Sequence, residues 1–323
     1  SRYPAASQLE EFLIWNRCKA RFRAFGLVTG TGIGNTIGHW QRAIVSQRFF
    51  LPVMITYQEF QQALRQTGRY ETAATARPAE LRISPLNSIR YASTIIGIVC
   101  RCSFKHLFGA FDYEEWARTC MASVAFAEKL GGVVTFEGFE QRAAYDGPVV
   151  YVSNHMSTLE TMVFPTTLLA FGRLAIILKK SLTEIPLVGK AALHVGCIPV
   201  TRKNAREDLK TVLEVGSQRL ADGHSVLLFP QGTRQAVFDG KKFNTLGSKL
   251  AERAGVPVVP LAVKTDFLKT GKWIKDFGEV DPNKPIRFAC GPVLPATLGA
   301  RATHDQSVAF IASKLTEWGL PVV

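Results

Sequence analysis

The chain has 323 residues, 47% hydrophobic and 20% charged, the composition of a folded, core-forming protein of about two average domains, or of one large α/β domain with an appendage. Its net charge of +13 is uneven: residues 1–110 hold 14 Lys/Arg against 5 Asp/Glu, a surplus of +9, and the remainder holds 25 against 21, a surplus of +4. A basic first third favours an anionic partner, and the lack of any RNP, zinc-finger or helix-turn-helix signature sets nucleic acid below acidic lipid or acidic protein.

Up to about residue 110 the pattern is irregular and mainly helical, as in EEFLIWNRCKARFRAF and YQEFQQALRQ. GTGIGNTIG, residues 30–38, fails as a dinucleotide loop: Asn35 stands where a third glycine is required, and no acid follows at about twenty positions. RFFLPVMITY, residues 48–57, is apolar but broken by Pro52, and TARPAELRISPLNS, residues 75–88, reads as a linker or loop. YASTIIGIVC, residues 91–100, reads equally as a buried core helix or as an interfacial membrane segment. No apolar run reaches the roughly 18 residues of a spanning helix, and no signal peptide is recognisable. The six cysteines are scattered, which suits a reduced compartment rather than a disulfide framework. Cys100, Cys102 and His106 offer three ligands without a fourth at a usual spacing, so no metal is expected.

From residue 113 the rhythm changes. YEEWARTCMASVAFAEKLGG reads as a helix with a glycine stop. Seven short β-branched runs follow, over 133–139, 149–153, 174–179, 197–201, 225–229, 256–263 and 286–291, with helical stretches at 204–223 and 245–255. The expectation is an α/β fold with a mostly parallel central sheet flanked by helices, preceded by a mainly helical N-terminal region. The division falls at 1–110 (basic, membrane-docking) and 111–323 (α/β). Working residues then belong beyond the carboxyl ends of the strands.

Three stretches sit in such places, and a fourth is an apolar run. In SNHMSTLE, His155 follows a strand and Glu160 falls in the first turns of the next helix. A carboxylate on one ring nitrogen would fix the tautomer and make the other a base, while the bland reading is a helix cap by Asn154 or Ser157. In FPQGTRQ, Gly232 permits close backbone approach, Thr233 offers a hydroxyl and Arg234 can fork onto a phosphate. GCIPVTRKN carries Arg202 just past a strand. VPVVPLAV has two prolines, which suits the wall of an apolar pocket or an edge strand. GHSVL is not a nucleophile elbow, since the helix precedes and the strand follows.

In order and spacing, NHMSTLE, GCIPVTR, FPQGTR and VPVVPLAV resemble the four motif blocks of the PlsC-type glycerolipid acyltransferases (1-acylglycerol-3-phosphate acyltransferases), with KKSLTEIPLVGK (179–190) similar to that family's intervening segment. The resemblance spans roughly residues 130–265. It implies an O-acyltransferase that moves a fatty acyl group from acyl-CoA or acyl carrier protein to the hydroxyl of a lysophosphatidate-like lysophospholipid, with no other cofactor. By motif, His155 matches the general base and Glu160 its orienting acid in an HX4E pattern. Lys180, Arg202, Gln231, Gly232, Thr233 and Arg234 match acceptor-binding positions. Glu160 stands where the family usually has aspartate, and Gln231 where it usually has glutamate, which bears on the exact acceptor. The implied partners are the two substrates and an anionic membrane surface. The implied location is the cytoplasmic face of a membrane, peripheral or monotopic. The alternatives are a non-catalytic lipid- or phosphate-binding relative and an acyltransferase for another acceptor lipid.

Overall fold

The computed structural model describes residues 55–73, 83–271 and 274–323. GTGIGNTIG, most of RFFLPVMITY and the first part of the segment at 75–88 lie outside them. In chain order the elements are α1 (Tyr57–Thr67), β1 (Tyr70–Glu71), α2 (Pro85–Leu107), α3 (Tyr113–Lys129), β2 (Val134–Glu137), α4 (Glu140–Ala144), β3 (Val150–Ser153), α5 (Leu159–Leu168) and β4 (Arg173–Lys179). There follow α6 (Lys180–Thr183), α7 (Val188–His194), β5 (Ile198–Val200), α8 (Ala205–Ala221), β6 (His224–Leu228), α9 (Leu246–Ala254), β7 (Val258–Lys264), β8 (Ile286–Cys290) and α10 (Gly299–Glu317).

Local chemistry accounts for the helix boundaries. Thr56 and Glu59 form a reciprocal capping box at the start of α1, and Gly68 ends it at φ 64°. Ser84, Asp112 and Asn204 each accept first-turn amides of α2, α3 and α8. All seven strands read from the β-branched runs are present. The sequence reading omitted the two-residue β1, the short helices α4, α6 and α7, and the C-terminal α10.

The sheet runs β1-β2-β8-β7-β3-β6-β4-β5. Five of its seven pairings are parallel; β1–β2 and β7–β8 are antiparallel. The block β7-β3-β6-β4-β5 is parallel throughout, so five carboxyl ends lie side by side. Alternation splits the core across the sheet. Tyr151, Leu227 and Val259 face α1, α2, α3 and α5, whereas Val150, Val152, Val226 and Leu228 face α8, α9 and α10.

One expectation is corrected. VPVVPLAV is not an edge strand: β7 lies between β8 and β3. Pro260 is tolerated there because β8 ends at Cys290, and the Gly291 amide donates to the Pro260 carbonyl where the ladder breaks. Tyr91, Ile95 and Ile98 of α2 share one apolar cluster with Phe136, Phe164 and Phe288. α2 carries apolar side chains on two faces. Tyr91, Ile95, Ile98 and Cys102 are buried, while Leu86, Ile89, Ile96, Phe104 and Leu107 on α2 are exposed, as is Phe108 just after it. No helix among the described residues is long and apolar enough to cross a membrane.

Candidate active site

The residues singled out from sequence occupy adjacent strand ends. His155 follows β3, Lys180 follows β4, Arg202 follows β5, and Gln231, Gly232, Thr233 and Arg234 follow β6. This is where a parallel sheet leaves backbone groups free to build a site.

The His155 Nδ1 lies 2.8 Å from Glu160 Oε1. Glu160 is wholly buried in the first turn of α5, with every oxygen occupied. Its Oε1 accepts from the amides of Met156 at 2.7 Å and Ser157 at 2.8 Å, and its Oε2 from the hydroxyls of Ser157 at 2.8 Å and Thr265 at 2.6 Å. Burial alone would raise this carboxyl's pKa. The hydrogen bond and charge of His155, then the bonds from Thr265 and Ser157, outweigh it and hold the pKa below its ordinary value. An ionised Glu160 accepts, so Nδ1 carries the proton and Nε2 is the basic nitrogen. Neither Asn154 nor Ser157 is the N-cap of α5, which is Thr158 without a side-chain cap bond. Ser157 Oγ accepts the Leu159 amide, but Asn154 instead bonds both ways to the Val263 backbone, at 2.9 and 2.8 Å, extending the β3–β7 ladder.

The histidine is pinned from several sides. Its ring stacks on Phe229 at 4.2 Å, its amide donates to Gln231 Oε1 at 2.7 Å, and its carbonyl accepts from the Gln235 amide at 2.9 Å. Gln231 is buried, and its side-chain oxygen ties the loop after β6 to the loop after β3. An amide and a carboxylate supply the same acceptor there.

Arg202 adopts a left-handed backbone, φ 57°, unusual for a residue with a Cβ. The Asp208 carboxylate holds that turn by accepting the Thr201 and Arg202 amides, each at 2.7 Å. The Arg202 Nη1 then donates to the Gly232 carbonyl at 2.7 Å. Gly232 is needed for its φ of 71°; a Cβ there would meet nothing within 4 Å, so close approach of neighbouring protein atoms is not the reason. Arg234 bonds Asp276, Thr158 and the Lys275 carbonyl. Burial and then the charge of Arg234 lower the pKa of Arg202, so the two guanidiniums share one electrostatic neighbourhood. Thr233 and Lys180 are exposed, and Lys180 makes no ion pair among the described residues. Sequence reading missed Asp208, Thr265 and Asp276, which reach the site only through the fold; the end of β7 was the one available cue for Thr265.

Beside Arg202 and Gly232 opens a cavity of about 370 Å³, walled by Ile177, Val200, Leu209, Val212, Leu228 and Leu246. Among the described residues no group of three or more His, Cys, Asp or Glu could hold a metal. Cys100 is exposed and Cys102 buried on opposite faces of α2, and burial pushes the Cys102 thiol up to about 12.

A histidine held by a buried acid thus lies at the carboxyl ends of a parallel sheet, with Arg202 and Arg234 at neighbouring strand ends. Residues 133–264 match the family model described as Acyltransferase. The chain is 36% identical over 190 residues to a 1-acyl-sn-glycerol-3-phosphate acyltransferase of Pseudomonas aeruginosa, covering 58% of this chain and 68% of that protein. It is 35% identical over 145 residues to the chloroplastic LPAT1 of Arabidopsis thaliana, a protein of the same name, covering 43% of this chain and 37% of the relative. The crystal structure of the PlsC 1-acyl-sn-glycerophosphate acyltransferase from Thermotoga maritima shares the fold, with a TM-score of 0.52 at 18% identity over 72% of this chain and 95% of that one. The chain belongs to the acyltransferase family and is an O-acyltransferase.

Because the folded pKa of Glu160 is depressed, its contribution to stability is complete above the ordinary carboxylate value of 4.5 and is lost as the pH falls through the lower folded value. Glu160→Gln should therefore flatten the acid limb of the stability curve, read by chemical unfolding at successive pH values. An unchanged acid limb would show that the carboxylate is not held this way.

Proposed function

We propose that the protein transfers a fatty acyl group from an acyl thioester to the free hydroxyl of lysophosphatidate or a closely similar lysophospholipid. The observation that carries this reading is the 2.8 Å bond from His155 Nδ1 to a fully buried and saturated Glu160. It leaves Nε2 as a base, beside guanidiniums suited to a phosphate.

In this mechanism His155 Nε2 takes the proton of the acceptor hydroxyl as its oxygen attacks the thioester carbonyl. The new C–O bond forms a tetrahedral adduct, the C–S bond breaks, and the imidazolium returns the proton to the leaving thiolate. Ionised Glu160 stabilises the transient imidazolium. Arg202 and Arg234 hold the phosphate and so position the hydroxyl, with Lys180 and the Thr233 hydroxyl as further acceptor contacts. The Thr233 and Arg234 amides have no acceptor among the described residues and are available to the oxyanion. The apolar cavity at Arg202 suits a lipid chain whose polar end stays at the guanidiniums. CoA and acyl carrier protein thioesters both satisfy this chemistry. A non-catalytic binding role would leave the complete hydrogen-bonding of Glu160 without a purpose.

Lipid substrates require a meeting with the bilayer. The outward face of α2 offers Leu86, Ile89, Ile96, Phe104 and Leu107, flanked by Arg90, Arg101 and Lys105, and α7, packed beside α2, adds an exposed Leu193. Apolar side chains ringed by cations suit shallow insertion among anionic headgroups.

His155→Ala should abolish lysophospholipid-dependent release of free thiol from the thioester while the fold is kept, and near-wild-type release would remove His155 from the base role. Arg202→Ala and Arg234→Ala should each raise the acceptor KM by about tenfold or more, as expected for losing a charge-assisted contact; unchanged values in both would contradict the phosphate assignment. Replacing Phe104 and Leu107 by Ser should weaken flotation with anionic vesicles, whereas flotation indifferent to these changes and to salt would exclude this face.

A further inference from the structure

We propose that Asp276, acting with Thr158, is a positioning residue that anchors one nitrogen of Arg234, so that the opposite edge of the guanidinium is presented to the acceptor's phosphate. The proposal rests on the reading of Arg234 as a phosphate ligand.

Asp276 lies outside all four motif blocks, in the segment joining β7 to β8, 42 positions from Arg234 in sequence. Three acceptors converge on Arg234 Nη1: Thr158 Oγ1 at 2.6 Å, Asp276 Oδ1 at 2.8 Å and the Lys275 carbonyl at 3.0 Å. The Thr158 hydroxyl in turn donates to Asp276 Oδ1 at 2.9 Å, which closes a triangle of bonds around that single nitrogen. Thr158 stands between His155 and Glu160 in the chain, so the anchor is built partly from the catalytic loop itself.

The choice of nitrogen matters. In a guanidinium, Nη1 is on the Cδ side, whereas the Nε–H and one Nη2–H point the same way and form a fork that fits two oxygens of one phosphate. Among the described residues neither Nε nor Nη2 of Arg234 has a hydrogen-bond partner. The protein thus consumes the nitrogen that a side-on grip does not use and keeps the fork open. A free arginine would have to give up rotamer freedom to make that grip; an anchored one has largely given it up already. Asp276 also supplies a negative charge beside Arg234, which otherwise repels the Arg202 guanidinium. The side chain of Arg234 is 17% exposed and that of Asp276 is 55% exposed, so the pair stands at the rim, where a lone ion pair adds little to stability. Its value is orientation.

The test is steady-state kinetics with lysophosphatidate and an acyl-CoA on Asp276→Ala, Arg234→Ala and the double variant. We expect Asp276→Ala to raise the acceptor KM about three- to fivefold, with kcat and the donor KM within about twofold, the size expected of a partly exposed ion pair. In the Arg234→Ala background the same substitution should change nothing further. Asp276→Asn, which keeps the shape but loses the charge, should fall between. If Arg234→Ala raises the acceptor KM but Asp276→Ala leaves it unchanged or lowers it, the anchoring role is overturned while the phosphate reading stands; a lowered KM would mean that Asp276 competes with the phosphate. An equal rise in both backgrounds would mark a general structural effect and also overturn it. If Arg234→Ala itself has no effect on the acceptor KM, the phosphate reading and this proposal fall together.

Discussion

A carboxylate with no access to water dictates the architecture of this site. Burying the Glu160 charge costs several kcal/mol unless each lone pair finds a donor. The protein meets that demand with two amides of the loop before α5, two hydroxyls and the imidazole. Charge-assisted hydrogen bonds of about 1.5–3 kcal/mol each can offset such a cost. The start of α5 adds its dipole, which favours an anion at that end. Only one of these donors, His155, has a second polar atom with work to do. The loop after β3 is shaped to feed the carboxylate, and the orientation of the base follows from that.

The sheet supplies what the loop cannot. Thr265 reaches Glu160 because β7 lies next to β3, and the Gln231 oxygen reaches the His155 amide because β6 lies on the other side. Beyond β6 the strand ends bring cations, Lys180 after β4 and Arg202 after β5. Arg202 reaches the Gly232 carbonyl through a left-handed turn that Asp208 keeps in place. Such a turn costs on the order of 1–3 kcal/mol for a residue with a Cβ, and it is kept where the side chain must project from the strand end. The same sheet separates two apolar environments: α1, α2, α3 and α5 cover one face, and the cavity opens on the other, under α8 and α9.

Much of this was legible in the chain because its signals are local. Seven β-branched runs became seven strands, and the HX4E spacing brought two side chains together across a single turn. Other features were opaque because they depend on distance. Nothing near Gln231 says that its oxygen will meet an amide 76 positions away, and nothing near Asp276 points to Arg234. The pair of prolines in VPVVPLAV suggested an edge, because the break after β8 that accommodates Pro260 cannot be seen in that stretch itself. Residues 91–100 gave two readings since α2 is apolar on both faces, one against the core and one outward.

Glu160 can prepare His155 as a base only if the ring proton stays on Nδ1. Nitrogen-15 NMR of imidazole-labelled protein at neutral pH, with the resonance identified by its loss in His155→Ala, reads that tautomer directly. The account predicts a protonated Nδ1 and an unprotonated Nε2 for this ring. A ring whose proton resides on Nε2 would contradict it, because no lone pair would then face the acceptor hydroxyl.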